Sequence, residues 1–485
     1  MGVRLSELVR RDLSVDPLIE GVTADSRKVA RGFLFAALPG STVDGRAFVP
    51  RAVSAGAAAV LAPEDMPGMG VPVVSSHDPR RAYALAAAHF WQAQPPVVVA
   101  VTGTNGKTSV AAFCRQIFNA CGHRAASMGT LGVRATGPDG FDVQLTPPGL
   151  TTPDAADVAE LLANLARRDV THLALEASSH GVDQRRLDGV NLVAAGFLNL
   201  TQDHLDYHGT MGAYRAAKLR LFETLLPRGA TAVLNADSDA YGVFASAAVT
   251  AGQTVTSVGA AGQGLRLLAR TPTPEGQALT VQVDGQVHEV RLPLVGAYQA
   301  SNVLVAAGLC IAAGESPEQV LGALETLQGA PGRLQRIGSG PRGGEAYVDY
   351  AHTPDGLETV LTALRPHVRG KLIVVFGAGG DRDRTKRPLM GAICARLADV
   401  AIVTDDNPRS EIPAAIRAEI MAGAPGLKEI GDRREAIRSG AALLSDGDIL
   451  VVAGKGHEQF QIVAGVTHHF DDVAETAKAL GLSHG

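Results

Sequence analysis

Two rhythms of apolar positions run through the chain, and their breaks divide it. Over residues 1–92, short apolar runs at 32–38 and 58–62 alternate with a helical spacing at 78–91, which predicts a small α/β domain. The Q-A-Q-P-P segment at 92–96 interrupts the pattern. The run V-V-V-A-V-T that follows is apolar at successive positions, as a strand covered on both faces of a parallel sheet must be. Apolar strands at 171–176, 192–198 and 232–235 then alternate with helical stretches, predicting a mostly parallel sheet in a central domain spanning 93–330. Within that stretch, residues 251–295 carry short alternating strands with Gly and Pro turns, which predicts an antiparallel elaboration. After Ala330-Pro331-Gly332-Arg333 the alternation resumes, with strands at 371–376, 400–404 and 449–453. A Rossmann-like, doubly wound domain is expected over 331–485. The fold class is therefore α/β in three domains, and 485 residues exceed what one hydrophobic core sustains.

Composition narrows the function classes. Hydrophobic residues make up 46% and charged residues 19%, a globular balance without disorder or fibrous repeats. The net charge of -5 and the scattered basic residues argue against nucleic acid as a partner. No apolar run has the length of a membrane span and the first residues lack a signal-peptide core, so a cytoplasmic protein without integral membrane contact is expected, and a monomer. The four cysteines, Cys114, Cys121, Cys310 and Cys394, have no paired metal spacing and are too few for a disulfide framework, so they are expected to be reduced and buried.

The strongest local signal is V-V-V-A-V-T-G-T-N-G-K-T at 97–108, where a buried strand enters a Gly-rich turn and then a helical pattern. That context cradles phosphate. Thr102, Gly103, Thr104, Asn105 and Gly106 form the turn whose backbone N–H groups face an anion, Lys107 brings positive charge, and Thr108 offers a hydroxyl to Mg²⁺. Val101 holds the first glycine position of the usual P-loop pattern. No N-K-x-D segment follows to select guanine, so ATP is the expected nucleotide.

Longer motifs follow in order: E-A-S-S-H-G at 176–181, N-L-T-Q-D-H-L-D-Y-H-G at 199–209, Y-R-A-A-K-L-R-L-F at 214–222, D-Y-A-H-T-P-D at 349–355, G-G-D-R-D-R-T-K-R-P at 379–388, D-N-P-R at 406–409 and G-K-G-H-E at 454–458. Together with the phosphate loop they resemble the Mur ligases, in particular the members that add the third residue of the stem peptide. The resemblance implies ATP-dependent joining of meso-diaminopimelate to the D-glutamate γ-carboxylate of UDP-N-acetylmuramoyl-L-alanyl-D-glutamate through an acyl phosphate, in peptidoglycan synthesis. It implies uridine-nucleotide, ATP and amino-acid binding in the first, second and third domains respectively.

The same resemblance assigns site residues. Lys107, Glu176, His204 and a carbamylated Lys218 would be catalytic, with Thr108, Glu176, His204 and the Lys218 carbamate as Mg²⁺ ligands. By its local pattern alone, Lys218 reads as a solvated helix position and His204 with His208 as a helix-surface pair. Asn302, Arg333, Asp349 and His352 would contact ATP. Ser26 with Ser41, Thr42 and Val43 would form the uridine pocket, and Thr151, Thr152, Ser178, Gln184 and Arg186 would hold the muramoyl peptide. Without the resemblance, D-S-R at 25–27 is a turn and T-T-P-D at 151–154 a helix cap. Leu150 stands where the family commonly has asparagine. Arg382, Asp406, Asn407, Pro408, Arg409, Gly454 and Glu458 would bind the incoming amino acid. L-lysine or L-ornithine in place of diaminopimelate remains an alternative. Folylpolyglutamate synthetase shares the phosphate loop and the lysine-bearing helix, but the N-terminal domain and D-N-P-R argue against it. A P-loop kinase or a nucleotide-regulated binding protein shares the loop alone.

Overall fold

The computed structural model describes residues 2–40, 43–63, 70–145, 150–273 and 275–482. The chain forms two compact units, Met1–Arg266 with Leu304–Val320, and Leu267–Val303 with Leu321–Gly485.

The first unit contains two larger sheets and a short antiparallel pair, Val3–Arg4 with Leu18–Ile19. Near the N-terminus, Gly21–Thr23, Phe33–Ala36, Ala59–Ala62 and Val73–Ser75 pair in parallel. Helix Pro79–Trp91 packs on this sheet through Tyr83, Ala84, Ala86 and Ala87, and Asp78 caps its first turn by accepting from Arg81 N. The larger sheet runs Asp142–Leu145, Gly132–Thr136, Ala125–Gly129, His172–Glu176, Val97–Thr102, Ala194–Phe197, Thr231–Asn235 and Thr254–Gly259. Val97–Thr102 lies at its centre, parallel to both neighbours, which explains its unbroken apolar run. Thr254–Gly259 pairs parallel with Thr231–Asn235 after the crossover helix Tyr241–Thr250, so the antiparallel elaboration expected over 251–295 starts later than its alternating sequence suggested. The hairpin Gly276–Val283 with Gln286–Leu292, in the second unit, is antiparallel as expected.

In the second unit the sheet order is Gln335–Ser339, Glu345–Asp349, Ile449–Ala453, Leu372–Phe376, Val400–Val403 and Lys428–Glu429. All pairs are parallel except the first, an antiparallel edge. The non-sequential order places Ile449–Ala453 between Glu345–Asp349 and Leu372–Phe376, the arrangement that opens a crevice at the carboxyl ends of the strands.

That carboxyl end is braced by a wholly buried ion pair. Arg433 donates from Nε to Asp472 Oδ1 (2.7 Å), and from one terminal nitrogen to Asp472 Oδ2 (2.6 Å) and to the carbonyl of Ala453 (3.0 Å), the last strand residue before Gly454. Both side chains are 0% exposed. Removing one partner leaves a buried, uncompensated guanidinium. Asp472→Ala is expected to lower stability by about 3–5 kcal/mol, measured from urea unfolding of the full chain.

Cys114, Cys310 and Cys394 are buried as expected, whereas Cys121 is partly exposed at the end of helix Lys107–Ala120. Among the described residues, no helix is long and apolar enough to cross a membrane.

Candidate active site

Each unit gathers its chemistry-bearing residues where parallel strands end. In the first unit, Val97–Thr102 delivers the phosphate loop, His172–Glu176 ends on Glu176, and Ala194–Phe197 leads to Asn199. Gly106 takes φ +92°, a left-handed conformation that costs glycine little, and thereby caps helix Lys107–Ala120. Asn199 fixes the turn: its Oδ1 accepts from Thr104 N (3.1 Å) and Asn105 N (2.9 Å). Thr102 Oγ1 donates to the Ala177 carbonyl (2.8 Å), and Thr104 Oγ1 lies 3.2 Å from the Tyr214 hydroxyl. Lys107 Nζ donates to the carbonyls of Gly103 and Thr104, both at 2.8 Å. Thr108 follows it in the first helical turn, partly exposed.

Lys218 is no solvated helix position. It is 1% exposed, donates to the same Gly103 carbonyl at 2.7 Å, and sits 4.6 Å from the centre of the Tyr214 ring. Burial, reinforced by the charge of Lys107, depresses its pKa well below the usual lysine range. A lysine shifted in this direction is more readily found as the neutral, nucleophilic amine.

Glu176 is buried, and its Oε1 accepts from Thr130 N (2.8 Å). A Cβ on Gly129 would stand 2.0 Å from that oxygen, so the absence of a side chain there makes room for the carboxylate. Thr130 Oγ1 lies 3.3 Å from Glu176 Oε2 and 3.1 Å from Thr151 Oγ1. Thr152 Oγ1 bonds the Glu176 carbonyl and Ser178 Oγ, each at 2.9 Å, and Ser178 caps the short helix Ser179–Asp183. Arg186 donates to the Thr152 carbonyl and to Gln184 Oε1, both at 2.6 Å. The structure thus joins Thr151, Thr152, Ser178, Gln184 and Arg186 to Glu176 in one network. His204 takes φ +52° just before helix Leu205–His208, with its ring 4.8 Å from that of His180. It is therefore set by a turn rather than displayed on a helix surface.

Ser26 lines a cleft of about 960 Å³ with Thr23, Arg27, Phe90 and Trp91. Hydrogen bonds from Arg27 hold the neighbouring Asp25 carboxyl at about 2, and Asp25 accepts from Arg27 N, the turn expected of D-S-R. Val43 is exposed and is not part of this cleft, and Ser41 and Thr42 lie outside the described residues. Asp154 caps helix Ala155–Ala166 as expected of T-T-P-D, and it accepts from the Tyr83 hydroxyl at 2.5 Å.

In the second unit, Asp349 ends its strand and accepts from Leu334 N (2.7 Å) and Ala351 N (2.8 Å); burial raises its pKa against the opposing pull of Arg333. Arg333 lies over the Tyr350 ring at 4.7 Å, and His352 Nδ1 is 2.8 Å from the Tyr350 carbonyl. Asn302 is buried and donates to Gln299 Oε1 (3.0 Å). Arg382 and Arg409 flank Gly379, whose Cβ would meet an Arg409 nitrogen at 2.8 Å and Arg382 Cγ at 3.9 Å. Arg409 itself takes φ +54°, in a turn before helix Pro413–Met421, and donates to the Gly380 carbonyl (2.8 Å). The Pro408 carbonyl packs against Gly380. Asn407 is held by Lys455 Nζ (2.9 Å) and donates to Glu458 Oε2 (3.1 Å). Buried Asp406 faces Gly454, where a Cβ would stand 2.5 Å from its Oδ2. The residues from Asp406 to Arg409, Gly454, Glu458 and Arg382 therefore share one strand-end crevice.

Family models match three stretches: Mur ligase family, catalytic domain, over residues 18–91; Mur ligase middle domain over 101–310; and Mur ligase, glutamate ligase domain, over 332–456. A Caulobacter vibrioides protein named UDP-N-acetylmuramoyl-L-alanyl-D-glutamate--2,6-diaminopimelate ligase is 73% identical over 99% of each chain. The chain belongs to the Mur ligase family. As a Mur ligase it is an ATP-dependent, amide-bond-forming enzyme. A relative of the same name from Brucella melitensis is 52% identical over 95% of this chain and 94% of its own. A solved structure of a protein with that name is similar at TM-score 0.76 and 35% identity, covering 99% of both chains. The folylpolyglutamate synthase of Mycobacterium tuberculosis shares the fold at TM-score 0.61 and 20% identity, over 77% of this Mur ligase and 92% of its own chain.

Sequence reasoning missed Thr130, Gly129, Asn199 and Tyr214 as parts of the site. Asn199 and Tyr214 stand inside quoted motifs, and a polar residue directly after an apolar strand was the available signal. Thr130 carries no such mark, since only the pairing of Ala125–Gly129 with His172–Glu176 brings it to the carboxylate.

Proposed function

We propose that this Mur ligase, a monomer in the cytoplasm, uses ATP with Mg²⁺ to join meso-2,6-diaminopimelate to the D-glutamate γ-carboxylate of UDP-N-acetylmuramoyl-L-alanyl-D-glutamate in peptidoglycan synthesis. The observation that carries this reading is the 73% identity, over 99% of each chain, with the Caulobacter ligase of that name. The domains are taken as 1–92, 93–330 and 331–485, a reading supported by the order of the family matches at 18–91, 101–310 and 332–456. Ser26, with Ser41, Thr42 and Val43, serves the uridine; Thr151, Thr152, Ser178, Gln184 and Arg186 serve the muramoyl dipeptide. Asn302, Arg333, Asp349 and His352 contact ATP.

A carboxylate does not react with an amine until one oxygen becomes a leaving group. Phosphoryl transfer from ATP to the γ-carboxylate gives ADP and an acyl phosphate. The neutral amine then attacks the acyl carbon, and the tetrahedral adduct expels inorganic phosphate as the amide forms. Thr102 to Thr108 orient the phosphates and Lys107 balances their charge, so that the chemistry is largely positioning and electrostatics. Mg²⁺ supplies further charge neutralisation when bound. The Thr108 hydroxyl and the Glu176 carboxylate are hard oxygen donors that would hold a first ion, and His204 with a carbamate on Lys218 would hold a second.

Arg382 and Arg409 present two guanidiniums that suit a distal carboxylate, while Glu458 and the Gly454 carbonyl accept from the adjoining ammonium. Lysine and ornithine lack that carboxylate and would leave an arginine desolvated and unpaired. Competition among the three amino acids, read by product mass, is expected to favour diaminopimelate at least about a hundredfold. In Arg409→Ala the preference disappears through a raised KM for the amino acid. Comparable use of lysine or ornithine by the unaltered enzyme would refute the substrate assignment and leave the ligase standing.

A further inference from the structure

At the opposite end of strand His172–Glu176 from the carboxylate of Glu176, about 13 Å along the strand, two histidines and a glutamate converge. His172 opens that strand, His123 lies in the turn between Lys107–Ala120 and Ala125–Gly129, and Glu315 lies in the turn after helix Ala297–Ala312. His123 Nε2 is 2.9 Å and His172 Nε2 is 3.5 Å from the same oxygen, Glu315 Oε1. One ligand atom from each of the three residues can be chosen so that all lie within 4.8 Å of one another. Ligands held at 2.0–2.1 Å around a tetrahedral ion are separated by about 3.3 Å, and the two measured distances bracket that value. His172 and Glu315 are nearly buried, at 8% and 10% side-chain exposure, and His123, at 34%, leaves an approach from solvent.

The surroundings orient these groups as metal ligands. The Thr171 hydroxyl reaches the Arg124 carbonyl at 3.3 Å and His172 Nδ1 at 2.8 Å. With the hydroxyl proton on the carbonyl, Thr171 would accept from Nδ1–H, and that tautomer would turn the Nε2 lone pair of His172 toward the Glu315 carboxylate, the arrangement a cation between them requires. An outer hydrogen bond on the remote imidazole nitrogen is the usual way a metal-binding histidine is fixed.

We propose that His123, His172 and Glu315 form a binding site for one divalent transition-metal ion, zinc by its donor set, separate from the catalytic magnesium. Two imidazoles and a carboxylate suit zinc far better than magnesium, which takes oxygen. The ion ties together three segments remote in sequence, so its role is to clamp the base of the central sheet.

The test uses the full chain, stripped with a chelator and dialysed against micromolar Zn²⁺, with bound metal counted by mass spectrometry and folding verified by circular dichroism. Wild type and His204→Ala are expected to retain one ion that His123→Ala and Glu315→Gln both lose. Zinc at a hundredfold over Kd is expected to raise Tm by about 3 °C in wild type and not in those two variants. X-ray absorption should report nitrogen and oxygen neighbours near 2.0 Å. Equal zinc in wild type and in folded His123→Ala and Glu315→Gln overturns the proposal, as does no stoichiometric zinc in wild type. Loss of the ion in His204→Ala alone assigns it to the catalytic site and overturns it equally.

Discussion

Lys107→Ala is expected to abolish ADP formation, with a fall in kcat of about a thousandfold or more, while the UDP-linked substrate still binds. The triphosphate concentrates negative charge at the helix start, where backbone N–H groups supply only partial positive charge. Lys107 brings the full charge there, its Nζ held 2.8 Å from the carbonyls of Gly103 and Thr104 at the mouth of the turn. Truncation leaves the loop geometry intact, because Asn199 anchors Thr104 and Asn105 independently of the lysine. Ser26 and the cleft it lines are built from other elements, so binding of the UDP substrate, followed by calorimetry, should change little. ADP production near the wild-type rate would remove Lys107 from the phosphate site.

Lys218→Ala is expected to be impaired about a hundredfold or more, and to regain part of its activity in millimolar formate or acetate. Most lysines are protonated at neutral pH and do not react with CO₂. Burial and the nearby charge of Lys107 shift Lys218 toward the neutral amine; the proposed carbamate would form when that amine adds CO₂ and releases a proton. The alanine variant loses that anionic oxygen ligand, and a small carboxylate can restore it. Lys218→Arg keeps a cation and cannot form the carbamate, so it should be as inactive as alanine and resist rescue. Near-wild-type activity in Lys218→Ala, together with an unmodified lysine mass in CO₂-equilibrated protein, would eliminate the carbamate.

The two lysines also show how far sequence reasoning reaches. Lys107 is legible because strand, glycine turn and helix are contiguous, so local geometry implies the charge's task. Lys218 is not, because Y-R-A-A-K-L-R-L-F has no apolar stripe to distinguish an inward lysine from an outward one. Its burial comes from helix Met211–Arg220 lying against the phosphate loop, a contact across more than a hundred residues. The strands at 97–102, 171–176 and 449–453 were readable from apolar runs, since both faces of a parallel sheet are covered. Thr254–Gly259 was misread as the start of an antiparallel stretch, because half-exposed parallel and antiparallel strands alternate alike. The buried pair of Arg433 and Asp472 was invisible for the same reason as Lys218: neither D-R-R nor F-D-D-V states which charge turns inward.

Position 129 carries an evolutionary corollary. With the Glu176 oxygen standing 2.0 Å from where a Cβ would be, any change from glycine displaces the carboxylate before it disturbs the sheet, whose pairing there runs through the backbone. With Glu176 in the role proposed above, drift at this residue is filtered by activity as well as by folding, since Thr130 N would lose its acceptor. A descendant that has lost the ligase reaction but kept the scaffold should be freer to accept alanine or serine here. Among homologues that keep the glutamate, the residue at 129 becomes a one-letter indicator that separates working ligases from retired ones.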